Sequence, residues 1–296
     1  MELAIVRMFS VLAIALIYML FDLFNNRNVP SAFAYATLAY GAAFSLLYMS
    51  MLSIISFAIA AVILGFGYII YRIGQIGAAD IMEFAAISMV MPIQLQPWLT
   101  SINQLGLPFI VSVLIGSGIA ALVIVPIYYT LLAKSRKKGR ILNSVDGRSV
   151  LKASLIFGAY VLFIIFAILA IHLTVFALIL LLLLAIFSSL IILFENAISR
   201  AMIEYVGVEK FEEGDIIALN LMGAKKTKAI KSKVHSFDRL ATARLIKELK
   251  SKRIRIKFPV YKNAMPLALP IFIGVLLSLA VGDVLLFVFP PFLVLL

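Results

Sequence analysis

Five acidic side chains stand in or beside long apolar runs of this sequence: Asp22, Asp80, Glu83, Glu195 and Asp283. A carboxylate in hydrocarbon is expensive, so each needs a partner or a task. Asp22 closes an apolar run and is followed by the polar turn NNRN, with Arg27, and by Pro30. Asp80 opens a second apolar segment directly after RIGQIGAA. Two carboxyls held close together cannot both ionise cheaply, so they share a proton and titrate as one unit. One can then take a proton from water while the other gives one to a carbonyl oxygen, which is hydrolysis by paired acids. Asp80 at the start of a helix is expected to be the anion, because the positive end of the helix dipole favours it there. Asp22 at the end of a helix lacks that help. Gly74 and Gly77 relax the turn before Asp80 and let another backbone come close. Glu83 follows Asp80 by three positions, on the same helical face. Glu195 reads as an interfacial residue paired with Arg200. Asp283, within LAVGDVLLF, is expected deep in the last span, lining a polar cavity or bonding to another helix.

The elements that position these acids are apolar helices. Of 296 residues, 64% are hydrophobic and 14% are charged, a balance that suits a multi-span membrane protein and not a soluble domain. No separate signal-peptide pattern precedes the first apolar segment, which is expected to remain as a span. Cysteine is absent, which rules out disulfides and thiolate chemistry, and the two histidines, His172 and His235, form no HExxH spacing. No metal or other cofactor is therefore expected. The net charge of +12 is confined to loops: seven of the 26 Lys and Arg lie in residues 134–152 and 16 in residues 200–262. Basic loops beside apolar spans mark the cytoplasmic side and attract anionic lipid headgroups, so the charge points to membrane lipid and not to nucleic acid.

A bilayer is crossed by about 20 apolar residues in a helix. Spans are expected at 3–22, as a hairpin over 31–71 breaking near Ser50, at 80–98, at 108–133, as a second hairpin over 150–194 turning at HLT (172–174), and at 264–292. The fold class is thus all-α and polytopic, with about eight transmembrane helices and a small α+β cytoplasmic insertion. Residues 1–133 form a membrane core with both acids, 134–149 a basic cytoplasmic loop and 150–196 a membrane hairpin. Residues 197–262 form a small basic cytoplasmic module, and 263–296 the last span. Within the module, FEEGDIIALNL reads as a turn and strand, SFDRLATARLIKELKSK as a capped amphipathic helix and RIRIKF as a strand. Basic loops inside put both termini outside and both Asp22 and Asp80 at the cytoplasmic edge of a multi-pass cell-membrane protein.

FDLFNNRNVP resembles the first aspartate motif of the type IV prepilin peptidases, an aspartate followed by a basic residue and a V/I-P pair. GQIGAAD resembles their second motif, G-x-hydrophobic-D in archaeal members, and the separation of 58 residues (80 minus 22) is similar too. EEGDIIA (212–218) and residues 245–274 are similar to the cytoplasmic segment and last span of archaeal preflagellin peptidases. The resemblance implies an intramembrane aspartyl protease of the GxGD type, with Asp22 and Asp80 catalytic and Arg27, Pro30, Gly74 and Gly77 supporting the motifs. Its substrates would be archaellin and pilin-like precursors with class III signal peptides, short basic leaders ahead of an apolar helix. Bacterial members carry a lysine two positions after the second aspartate, where this chain has Met82. Glu83 is then a candidate to bind the Lys or Arg that such precursors carry before the cut; the plainer reading is a glutamate facing headgroups.

Three other readings stay open. PLALP (266–270) is similar to the Pro-Ala-Leu element of presenilins, although presenilins carry many spans before their first aspartate. Intramembrane acids also serve ion- or proton-coupled transporters, whose signature is broken helices and carboxylates at the midplane. A relative without activity that serves as a filament assembly platform is a further possibility.

Overall fold

The computed structural model describes residues 2–25, 29–48, 50–73, 76–93, 98, 107–135, 145–171, 175–223 and 267–284. It also describes 227–261 apart from 229, 231, 233, 235, 236, 238, 253 and 255. The helices are α1 (Glu2–Phe24), α2 (Ser31–Leu47), α3 (Met51–Ile73), α4 (Ala78–Val90), α5 (Phe109–Ser135), α6 (Gly147–Ile171), α7 (Val175–Leu193), α8 (Glu195–Met202), α9 (Ala243–Ser251) and α10 (Ala268–Val281). Among the described residues, α1, α3, α5 and α6 are long and apolar enough to cross a membrane. A fifth span results if α7 and α8, bent by 65°, count as one. The chain is therefore an α-helical membrane protein. Eight crossings are not reached by this measure, because α2, α4 and α10 have 17, 13 and 14 residues, short of the roughly 20 needed to cross.

Local chemistry explains the helix ends. Pro30 caps α2 from outside, where its missing N–H costs nothing. The break near Ser50 is closed by serines: Ser53 Oγ donates to the Tyr48 carbonyl at 3.0 Å and the Ser53 N–H donates to Ser50 Oγ at 3.3 Å. Hydroxyls satisfy there the backbone groups that hydrocarbon cannot. The segment expected to reach residue 98 stops at Val90, because Met91 precedes Pro92 and is driven out of helical geometry (φ −128°, ψ 85°). The last helix also ends early. Gly282 adopts φ 89° and stops α10, so Asp283 follows a helix end where mid-span placement was expected. The HLT turn lies outside the described residues; α6 ends at Ile171 and α7 begins at Val175.

Two packed groups meet at α1. In one, α4 is enclosed by α2, α3 and α1; in the other, α10 lies between α1 and α5, and α7 joins α5 to α6. Close approach depends on missing side chains. A Cβ on Gly41 of α2 would stand 3.1 Å from the Ala86 carbonyl oxygen of α4. A Cβ on Gly116 of α5 would stand 3.1 Å from the Gly274 Cα of α10, so those two backbones touch. The outward faces of α1, α3 and α6 present large apolar side chains, among them Phe9, Phe66 and Leu169. Such surfaces suit lipid and not water.

Residues 203–261 carry a two-stranded antiparallel sheet, β1 (Glu204–Val206) against β2 (Phe258–Val260), with Val206 opposite Phe258. Phe258 packs on Phe211 and Phe237, and α9 closes that core with Leu245 and Leu249. Sequence details shift here. Ile216 and Ile217 form only isolated bridges, the strand lies at 258–260 just past most of RIRIKF, and the helix starts after Thr242, whose Oγ1 accepts from the Leu245 N–H at 3.3 Å. Glu195 pairs with Lys152 (3.4 Å), not with Arg200, and both partners are more than half exposed.

Candidate functional site

Asp22 occupies the last turn of α1 yet is only 7% exposed, because α1 packs there against both α4 and α10. Its Oδ2 accepts the backbone N–H of Ala268 at 3.0 Å. Ala268 is the first residue of α10, where a helix has N–H groups with no internal partner and a partial positive charge. An aspartate at the end of one helix is thus held by the start of another.

Asp80 sits in the first turn of α4, half-buried. It reaches back to its own N-cap, where the Gly77 N–H donates to Oδ2 at 3.2 Å. This is one half of a capping box, since glycine has no side chain to return the bond. Gly77 itself has φ −71° and ψ 148°, extended geometry open to any residue. The physical reason for glycine is therefore not backbone freedom. A Cβ here would stand 2.9 Å from Asp80 Oδ2 and push the carboxylate off its donor. Arg27 and Gly74 lie outside the described residues. Pro30 starts α2, which packs on α4.

Asp22, Asp80 and Glu83 lie close enough for their charges to act on one another. The structure thus brings the two aspartates, 58 residues apart in the chain (80 minus 22), to one site at the meeting of α1, α4 and α10. The expected asymmetry between them disappears. Each carboxyl accepts a backbone N–H from the start of a helix, so the dipoles do not select Asp80 over Asp22 as the anion.

Glu83 lies one turn beyond Asp80, is 0% exposed, and neither carboxyl oxygen has a hydrogen-bond partner among the described residues. The reading of a glutamate facing headgroups therefore fails. Tyr18, one turn before Asp22 on α1, is fully buried and lies in charge range of both Glu83 and Asp80. Its hydroxyl is 2.8 Å from Thr37 Oγ1, which in turn donates to the Ala34 carbonyl at 2.9 Å. Thr37 has a single hydroxyl hydrogen and spends it on Ala34. Tyr18 must therefore be the donor to Thr37, which leaves its phenolic oxygen only acceptor capacity.

Tyr18, Thr37 and Ala268 escaped the reading of the sequence. The first two carry no spacing that separates them from core residues, and Ala268 acts through its backbone. Its one signal was the PLALP segment around it. Asp283 lies at the other end of α10, buried, with Ser112 Oγ donating to its Oδ1 at 3.3 Å. It belongs to a different place. Among the described residues, no group of three or more His, Cys, Asp or Glu is arranged to hold a metal ion. Compared with known proteins, the chain matches no family model, no curated protein and no solved structure.

Proposed function

We propose that this protein is an intramembrane aspartyl endopeptidase that removes the short basic leader from type IV pilin-like and archaellin precursors at the cytoplasmic membrane face. The observation that carries this reading is the convergence of Asp22 and Asp80, from two separate helices, within range of each other's charge. The motif resemblance supplies the substrate class. Eight crossings follow if the short helices α2, α4 and α10 also span, and residues 197–262 are then a cytoplasmic α+β module. Its basic surface and the 134–149 loop rest on anionic lipid.

In the reaction, one aspartate accepts a proton from a water molecule as that water adds to the scissile carbonyl carbon. The other, protonated, gives its proton to the carbonyl oxygen. The tetrahedral intermediate then loses its C–N bond: the leaving nitrogen takes a proton from the aspartate that gained one, the other aspartate regains its proton from a hydroxyl of the intermediate, and a carboxylic acid and an amine result. The Ala268 N–H orients Asp22 while the proton moves. No cofactor enters.

The test is co-expression with an archaellin or pilin precursor. A leader-shortened product with the intact chain, absent with Asp22→Asn and with Asp80→Asn, supports the protease. A second reading, an ion- or proton-coupled carrier, is favoured by one observation, the fully buried Glu83, whose carboxyl oxygens have no hydrogen-bond partner among the described residues. Unchanged precursor processing in both variants together with altered ion flux into vesicles selects the carrier.

A further inference from the structure

We propose that Glu83 binds the ammonium group that cleavage creates at the N-terminus of the apolar product; this rests on the proteolytic reading. Buried carboxyl oxygens normally accept hydrogen bonds, and a native exception calls for an explanation. Both oxygens of Glu83 are such exceptions among the described residues. The neighbours in charge range do not satisfy it. Asp80 on its own helix and Asp22 on α1 give it no hydrogen bond, and even protonated they would offer no positive charge; Tyr18 has given its only hydroxyl hydrogen to Thr37. The described cations of the surrounding helices lie elsewhere. Arg7 sits over the Phe44 ring, 5.9 Å from its centre, and Arg72 is exposed at the end of α3. Among the described residues, what the site lacks is a positively charged donor.

Depth decides which donor. Glu83 lies three residues beyond Asp80 along α4, a rise of about 4.5 Å toward the interior of the bundle. A precursor bound at the aspartates has its leader on the water side and its apolar segment on the interior side. The Lys or Arg of the leader thus lies on the wrong side of the cut for Glu83. Hydrolysis creates a cation on the right side: the scissile nitrogen becomes an α-ammonium with three N–H donors, at the tip of the apolar fragment. A slide of one helical turn brings it to Glu83, where a charge-assisted bond holds it. The site would thus take N-terminal ammonium groups of apolar helices as a class, and the mature product would compete with the precursor.

The experiment uses the full chain in lipid nanodiscs and a synthetic peptide of about 20 residues, enough to span, that copies the start of the mature product. One form has a free amine, the other an acetylated one, and affinity is read by displacement of a fluorescent peptide, which needs no turnover. The free amine is expected to bind about tenfold or more tightly than the acetylated form, as fits a hydrogen bond to a charged group, and Glu83→Gln is expected to bring the ratio to near one. Equal affinity of the two forms for the intact chain overturns the proposal, whether or not the variant folds. So does a ratio that survives Glu83→Gln, or a Glu83-dependent preference for a leader peptide ending in lysine. Precursor cleavage measured in parallel separates the two levels: cleavage without amine preference removes this inference alone, and no cleavage removes both.

Discussion

The backbone N–H of Ala268 donates to the carboxylate of Asp22 across 246 residues of chain, at 3.0 Å. One acid of the site therefore depends on where the last described helix stands. That position is set by α5, through the contact of Gly274 with Gly116, Ser117 and Val113. Any change that lifts α10 from α5 carries Ala268 off Asp22.

Gly274→Val tests this tether. The first added carbon would meet Ser117 Oγ and stand 2.7 Å from the Val113 carbonyl oxygen, part of a backbone that cannot yield. Under the proposed proteolytic function, precursor cleavage is expected to fall about tenfold or more while circular dichroism keeps its helical signal, because a misplaced catalytic group costs rate out of proportion to its shift. Gly65→Ala is the control, since nothing lies within 4 Å of its Cβ position. It is expected to leave cleavage unchanged and to raise stability by up to about 1 kcal/mol. Equal rates for both variants would remove the tether.

Asp283 and Asp22 stand at opposite ends of α10, a helix of 14 residues and so about 21 Å long. Asp283→Ala leaves the Ser112 hydroxyl without this acceptor in a buried place. A stability loss of about 1–3 kcal/mol in denaturant titration is expected, with the cleavage rate of the folded fraction intact. A lost rate at unchanged stability would put Asp283 in the reaction.

Tyr18 ties α1 to α2 through Thr37. Tyr18→Phe is expected to cost about 1 kcal/mol, because Thr37 keeps its own bond to Ala34. A double-mutant cycle with Thr37→Val measures the pair. A coupling of about 0.5–1.5 kcal/mol is expected, and a value of zero would mean that the two hydroxyls do not bond.

Asp146 lies outside the membrane segments and caps α6, with Oδ1 accepting the Ser149 N–H at 2.6 Å. That bond, with help from Asn196 and Arg148, holds its carboxyl below the usual aspartate range. A lowered folded value means stabilisation that is full above the unfolded value and lost as pH falls through the folded one. Hydrogen exchange of the Ser149 amide should therefore stay slow at neutral pH and lose protection below roughly pH 4, after correction for intrinsic rates. In Asp146→Ala, protection should be low throughout. A wild-type amide protected equally at both ends of that range would contradict the cap.

Much of this protein was legible in the chain as written, and for local reasons. The length of an apolar run determines whether a helix can live in lipid, so α1, α3, α5 and α6 follow from composition. Proline and glycine act within a residue or two, so Pro30 marks where α2 begins. Asp22 and Asp80 declared themselves because an acid beside hydrocarbon needs a reason. The ends of α4 and α10 were overrun because an apolar sequence continues through Pro92 and Gly282 while the backbone does not. The tertiary structure decided which helix start meets Asp22, that Glu83 is fully buried in charge range of both aspartates, and that Tyr18 lies in charge range of Asp80 and Glu83. Each depends on how helices distant in sequence pack and cross, as at Gly116 and Gly274, and no periodicity within one segment carries that information.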